Sequence, residues 1–125
     1  MAMKRTARDA SRRTNDPPML ILTSLAGGSK HGHALSRDIE GFAGVVLGPG
    51  TLYGAITRLE ERGLIEPLES DNRRRPYQIS ATGSAYLSEA VSEMQRLADE
   101  GARRLAMANQ AVAQGRVPRI SGSPA

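Results

Sequence analysis

Few side chains in this sequence have the chemistry that catalysis or metal binding requires. The 125 residues include no cysteine and two histidines, His31 and His33. Histidines at i and i+2 of a helix point apart, and no other ligand lies nearby, so we expect no metal site. Glu60 and Glu61 are adjacent on a predicted helix, where neighbouring side chains diverge. The sequence therefore predicts neither an enzyme nor a cofactor site, because no nucleophile, base and orienting group can be assembled.

Three adjacent arginines form the densest cluster of charge in the chain. Arg73, Arg74 and Arg75 follow a run of turn-forming residues. Three neighbouring cations repel one another, which favours an anionic partner such as a nucleic-acid phosphate. The alternative is a solvated turn that Glu69 and Asp71 neutralise. Within the topology described below, we favour contact with phosphates.

A second candidate surface is the beginning of a predicted helix near Pro49. Leu52, Ala55, Ile56 and Leu59 fall at i, i+3, i+4 and i+7, so they form one apolar face. The first turn has no acidic residue, so its free N–H groups and positive dipole end can approach phosphates. Small and polar residues suited to reaching DNA lie opposite the apolar face: Gly50, Thr51, Gly54, Thr57 and Arg58.

These side chains can also be explained without a ligand. Thr51 and Thr57 are also consistent with simple solvent exposure, and Arg58 with an ion pair to a neighbouring glutamate. Tyr53 fits packing on the base of a hairpin as well as contact with a phosphate. Both alternatives for Tyr53 stay open at this point.

The elements that position these residues follow from caps, breakers and periodicity. Asp16, with prolines after it, predicts a side-chain-capped helix that ends at Gly27. A second helix is expected over about residues 32–40, and then a connection over 41–48 in which Val45, Val46 and Leu47 are buried. Two extended runs at 64–68 and 76–79 predict a hairpin with the arginines at its tip, and Pro76 makes its second strand short or an edge. Ser80 can cap a long last helix.

This order of three helices, a hairpin and a helix predicts a mainly α fold with a small β-hairpin, the winged helix-turn-helix. In that fold the third helix enters the major groove of DNA, and Lys30 and His31, before the second helix, lie where the chain crosses the backbone. The sequence divides into a flexible basic arm (1–15), a winged-helix DNA-binding domain (16–80), a dimerisation helix (81–115) and a disordered tail (116–125).

The excess of positive charge lies at the two ends of the chain, and the middle is balanced. The net charge is +4, and residues 19–79 carry seven basic and seven acidic side chains. Net charge is therefore weak evidence for a nucleic-acid partner, and the placement of the charges matters more. The longest runs of purely aliphatic or methionine residues, such as Met19–Leu22, are far shorter than the ~20 residues of a membrane span. We expect no membrane association.

The last helix carries a heptad pattern that predicts a homodimer. Its apolar or small residues recur at alternating spacings of four and three: Leu87, Val91, Met94, Ala98, Gly101, Leu105, Ala108 and Val112. A helix of roughly thirty residues spans about 45 Å, too long for so small a domain to bury. We expect a second copy of the chain to cover these residues, which we call the seam. Packing of the seam on the first helix is the alternative.

Several motifs together resemble the PadR family of transcriptional regulators. The matching stretches lie between residues 18 and 90: Lys30-His31-Gly32, Pro49-Gly50-Thr51-Leu52-Tyr53, Arg58-Leu59-Glu60, Gly63-Leu64-Ile65, Arg73-Arg74, Tyr77, Ile79, Ser80, Gly83 and Leu87. The resemblance implies a winged-helix repressor at palindromic operators, with Thr51 and Tyr53 facing DNA and Arg73 and Arg74 on the wing. A tryptophan-lined ligand cavity, which some members have, is not implied, because this chain has no tryptophan.

The sequence thus predicts a cytoplasmic, homodimeric, DNA-binding repressor. Release from DNA would follow from a small-molecule effector or partner that favours one arrangement of the two heads. The rival is a winged-helix protein-interaction module that does not bind DNA, in which the third helix and the wing meet an acidic protein.

Overall fold

The computed structural model describes residues 15–69 and 75–115 of the chain. The predicted arm up to residue 14, the hairpin tip with Arg73 and Arg74, and the predicted tail at 116–125 lie outside the described residues. The elements follow in the order α1 Pro17–Ala26, β1 Lys30–His31, α2 Gly32–Ala43, α3 Pro49–Glu61, β2 Ile65–Pro67, β3 Pro76–Ile79 and α4 Ala81–Ala113.

Helix α1 begins after Asp16 and ends at Gly27, as the sequence predicts, but Asp16 does not cap it with its side chain. The backbone carbonyl of Asp16 instead accepts a hydrogen bond from Leu20 N at 3.0 Å. The prediction of a side-chain cap was wrong because Pro17 and Pro18 occupy the first two helical positions. Neither has an N–H group to donate, so little is left for a cap to satisfy.

Helix α2 extends three residues beyond its predicted end at Glu40. Gly44 terminates it in the left-handed conformation, with φ of 68° and its N–H donating to Glu40 O. The longer helix shortens the connection that follows. Leu47 is buried there as predicted, but Val46 is 72% exposed, so its predicted burial was wrong.

The sheet has three antiparallel strands in the order β1-β3-β2, one strand more than the predicted hairpin. Strand β1 pairs Lys30 with Tyr77 and His31 with Pro76, so β3 is the central strand. The expectation that Pro76 marks a short strand is confirmed, and the alternative that it marks an edge was wrong. Proline is tolerated because it is the first residue of β3, and its carbonyl accepts from Leu68 N at 2.8 Å.

Helices α1, α2 and α3 pack around an aliphatic core. The core's largest fully buried side chains are Ile21, Leu22, Leu25, Leu35, Ile39, Ile56 and Leu59. The apolar face predicted for α3, including Leu52 and Ala55, is buried in this core. Half-buried Tyr77 and Ile79 of β3 pack against the same cluster, so the sheet and α3 share one hydrophobic support.

Ser80 links the start of α4 to the end of α3. Its hydroxyl accepts from Gly83 N at 3.0 Å, which is the predicted cap, and it donates to Gly63 O at 2.6 Å. A Cβ atom on Gly83 would lie 1.9 Å from Leu64 O, so the first turn of α4 contacts the backbone at this point. Leu87, one turn further on, is buried in the core.

Helix α4 has 33 residues and a length of about 50 Å. The chain forms two compact units, and the boundary between them falls after Ser88, inside this helix. The seam residues that follow Leu87 include four exposed large apolar side chains, namely Val91, Met94, Leu105 and Val112. The mainly α winged helix-turn-helix architecture with a long C-terminal helix is confirmed.

Candidate nucleic-acid interface

The opening of α3 is exposed and free of acidic side chains. Gly48 is the cap residue, Pro49 follows it, and no side chain of the described residues caps this end of the helix. Gly50 and Thr51 are exposed, and the acids Glu60 and Glu61 lie at the opposite end of the helix. The uncapped amides and the positive end of the helix dipole are therefore open to an anion.

Arg58, one of the predicted contacts on this face, is exposed and makes no ion pair with a described residue. The alternative in which a neighbouring glutamate holds Arg58 is thus not what the structure shows. Thr57 is also exposed, and its hydroxyl donates to Tyr53 O at 2.9 Å within the same helix. Its oxygen lone pairs stay available to a donor, whereas its hydrogen is already used.

Tyr53 is half-exposed, and its hydroxyl lies against the backbone of Gly32. A Cβ atom on Gly32 would come 2.4 Å from this hydroxyl, so only glycine fits there with this tyrosine orientation. The nearby Tyr53 hydroxyl is a minor contributor to the raised pKa of Tyr77 in β3. The contact that the structure shows for Tyr53 is thus with Gly32 at the start of α2, and both alternatives, packing on the hairpin base and contact with a phosphate, stay predictions.

Tyr77 connects the helix and the wing. Its burial, reinforced by the nearby negative charge of Glu60, raises the pKa of its hydroxyl above 10.0, while Arg75 opposes the rise. Tyr77 thus remains neutral at physiological pH and lies within electrostatic reach of both Arg75 and Tyr53. The structure brings the start of the wing strand and the α3 tyrosine to one neighbourhood.

Arg75 is the one member of the arginine cluster that falls within the described residues, and it is exposed at the start of β3. Strands β2 and β3 pair in register from Ile65 with Ile79 to Pro67 with Tyr77. The Gln78 amide donates to Glu66 at 2.8 Å across the pair. The hairpin base is thus formed as predicted, and Arg73 and Arg74, which follow it in the prediction, lie outside the described residues.

The ammonium group of Lys30 contacts other groups of the same chain. This group donates to Ser24 O at 2.6 Å and to Gly28 O at 3.2 Å, and it lies 3.9 Å from Asp38. The buried Ser24 hydroxyl donates to the same Asp38 carboxylate at 2.6 Å. This network ties the C-terminal end of α1 to α2, and the sequence does not predict it because its members lie in different elements.

His31 caps helix α2. Its Nδ1 accepts from Ala34 N at 3.4 Å, which is a long hydrogen bond, and the residue is half-buried. His33 is exposed in the first turn. Within the described ranges, no group of three or more His, Cys, Asp or Glu side chains could hold a metal ion. In the same part of the chain, no helix has the length and apolar character needed to span a membrane.

A cation–π contact at the end of α3 was also not predicted. The Arg62 guanidinium lies over the ring of Tyr86 of α4, at 5.1 Å from its centroid. The two residues are 24 positions apart, and neither belongs to a recognisable motif. No sequence signal marks this contact, because it depends on how α4 packs beside the last turn of α3.

This chain is similar to known proteins both in sequence and in fold. The sequence profile described as "Transcriptional regulator PadR-like family" matches residues 21–89. Over 85 residues the chain is 46% identical to an uncharacterised 37.1 kDa protein in transposon TN4556 of Streptomyces fradiae, which covers 68% of this chain. The chain spans about a quarter of the length of that relative, 25%.

Solved structures share the fold. A transcriptional regulator from Clostridium thermocellum has a TM-score of 0.61 at 27% identity, covering 70% of this chain and 87% of its own. A PadR family transcription regulator from Clostridium difficile has a TM-score of 0.64 at 21% identity, covering 71% of this chain and 97% of its own. These similarities support the winged-helix architecture described above.

Proposed function

The chain belongs to the transcriptional regulator PadR-like family, and on this premise we propose that two copies bind a palindromic DNA operator and repress transcription from it. The observation that carries DNA binding is the exposed, acid-free opening of α3. A helix end of this kind attracts phosphates through free amides and its dipole, and it fits the major groove when its exposed side chains are small.

The proposed contacts are divided between α3 and the wing. Gly50, Thr51 and Gly54 permit close approach to the groove, and the side chains of Tyr53, Thr57 and Arg58 reach phosphates or base edges. Arg73, Arg74 and Arg75 supply phosphate contacts from the hairpin. His31 stays a candidate backbone contact, whereas the internal network around Lys30 supports a positioning role for that residue.

Dimerisation through α4 would place two reading heads on one duplex. The exposed apolar side chains of the seam support this part of the proposal, since a second copy would remove them from water. Two-fold related heads read half-sites roughly 34 Å apart, one turn of DNA. We further propose a cytoplasmic location and an effector, of unspecified chemistry, that shifts the dimer between binding and non-binding arrangements.

Salt-dependent binding to DNA tests the proposal. The experiment measures binding of the full chain to duplex DNA from upstream of its own gene by fluorescence anisotropy, with footprinting to locate half-sites. If six or more phosphates are contacted, affinity should fall by about 10³-fold or more between ~50 and ~200 mM salt. Binding that ignores salt, or the absence of duplex binding, would favour the protein-interaction alternative.

The wing assignment has its own variant. Replacing Arg73, Arg74 and Arg75 together with alanine should reduce the slope of log affinity against log salt by about 2 to 3, because each phosphate contact contributes about 0.9. Arg96→Ala is the matched control, since Arg96 is exposed on α4 and makes no ion pair with a described residue. An unchanged slope in the triple variant would remove the wing from the interface.

A further inference from the structure

Two large side chains expose only hydrocarbon in the described part of the unit that ends at Ser88. They are Phe42, near the end of α2, and Val46, in the connection that leads to α3. The other exposed large hydrophobic residues of this unit are tyrosines, which also carry a polar group. Val46 is 72% exposed, the largest fraction among the exposed large hydrophobic residues of the described chain. It is therefore the apolar side chain of this size with the most surface left in water.

The packing of its neighbours holds Val46 outwards. The residues on either side of it, Val45 and Leu47, both belong to or pack against the hydrophobic core. Leu47 directly precedes the cap residue Gly48, and it is buried, as is Leu52, the fourth residue of α3. Apolar residues at these two positions form the pattern of a hydrophobic staple, which fixes the angle at which a chain enters a helix. Val46 can turn inwards only if these neighbours leave the core.

Val46 continues the surface that the opening of α3 forms. It lies two residues before Gly48, so the Cα atoms of these residues are at most about 7 Å apart. Residues 44–51 include no charged side chain, and residues 48–51 are exposed. A distance of about 7 Å corresponds to roughly two base-pair steps of DNA. An α3 opening seated in the major groove would thus bring Val46 to the neighbouring base pairs.

An apolar side chain can recognise one feature of the major groove. The C5-methyl group of thymine is the apolar group that base pairs present there, beside hydrogen-bond donors and acceptors. The two γ-methyl groups of Val46 offer no hydrogen bond, and contact with the thymine methyl removes both apolar surfaces from water. A phosphate oxygen placed against the same methyl groups would instead lose water without gaining a hydrogen bond.

We propose that Val46 is a specificity-determining residue that contacts a thymine methyl group in each operator half-site. This inference rests on the proposed function, because it requires the opening of α3 to lie in the major groove. It assigns a base preference to a residue that precedes the recognition helix. The contact involves no charge, so it affects which sequence is bound and not the salt dependence of binding.

Replacement of thymine by uracil tests this contact, because the two bases differ by this methyl group alone. An operator is selected from random duplexes with the full chain, and each thymine of one half-site is then replaced in turn by uracil. At one position the affinity of the wild-type chain should fall by about fourfold, the factor expected when roughly one methyl group is no longer buried. Val46→Ala should bind the thymine and uracil duplexes equally well at that position.

Binding to the uracil duplex separates a base contact from a structural effect. A variant with a disturbed α3 would bind both duplexes more weakly, whereas Val46→Ala should match the wild type on uracil. Met107→Ala, which shortens another exposed apolar side chain, should keep the fourfold preference for thymine. A preference that survives Val46→Ala, or that the wild type lacks, would overturn the role of Val46 and leave DNA binding intact. Absence of duplex binding by the wild-type chain would refute the proposed function and this inference together.

Discussion

At Gly83 the fold leaves no room for a side chain. A Cβ atom there would fall 1.9 Å from the backbone oxygen of Leu64 and 2.9 Å from the Ile79 side chain. Backbone cannot move aside as a flexible side chain does, so α4 would have to lift from the sheet. We expect Gly83→Ala to lower the free energy of unfolding by about 2–3 kcal/mol, measured by urea denaturation.

Gly41→Ala is the matched control for that prediction. Gly41 also lies inside a helix, but a Cβ atom there would meet nothing within 4 Å. Alanine is the better helix former, so this substitution should raise the free energy of unfolding by about 0.5–1 kcal/mol. If Gly83→Ala were neutral or stabilising as well, the close approach of α4 would not be as tight as described.

The residues that sequence reasoning placed best are those whose role depends on local spacing. The buried face of α3 and the cap at Ser80 follow from neighbours within one or two turns. The sequence predicts a DNA contact for Lys30 because it precedes the second helix, where a helix-turn-helix crosses the backbone. Its contacts within the chain, to Ser24 and Asp38, come from other elements, and only the packing of α1 against α2 brings them within reach.

At the scale of elements, the difference between local spacing and long-range contacts explains why strand β1 was not predicted. Strand β1 has two residues, too few for any alternation of polar and apolar side chains to show. Its existence depends on β3, whose Tyr77 pairs with Lys30 from 47 positions away. The hairpin of β2 and β3 was predictable because its two runs flank a turn, whereas β1 follows from the tertiary fold.

The outer part of α4 contains a charged cluster with a pH dependence of known sign. Hydrogen bonds from Arg103 and Arg104 hold the pKa of the Glu100 carboxyl below its usual value of 4.5. Because the folded-state pKa is lowered, the cluster stabilises the helix above pH 4.5, and this contribution is lost as pH falls through the lowered pKa. Helicity followed by circular dichroism should thus decline on acidification more in the wild type than in Glu100→Gln.

Glu93→Gln distinguishes this cluster from a general effect of acid. Glu93 is exposed on the same helix and has no ion pair with a described residue. Its substitution should leave the acid-induced loss of helicity close to that of the wild type. Equal behaviour of the Glu100 and Glu93 variants would mean that the arginine contacts do not stabilise α4 in solution.

At the scale of the whole molecule, the exposed apolar seam of α4 makes the number of chains in the assembly the property to test. Leu105 is 67% exposed on the seam, and Met107, two residues away, is 58% exposed on the other side of the helix. Burial of one leucine contributes about 1.5–3 kcal/mol, and a symmetric dimer buries two. Leu105→Glu should therefore weaken dimerisation at least about 100-fold by analytical ultracentrifugation, whereas Met107→Glu should leave it unchanged.

The same pair of variants links assembly to DNA binding. A monomer neutralises the phosphates of one half-site, so Leu105→Glu should show about half the salt slope of the wild type on the operator, and Met107→Glu the full slope. The slope of log affinity against log salt counts the phosphates that are neutralised, so it compares the number of contacts made by the monomer and by the dimer. A full slope from a monomeric Leu105→Glu protein would mean that one copy makes all the contacts, and the two-headed arrangement would be wrong.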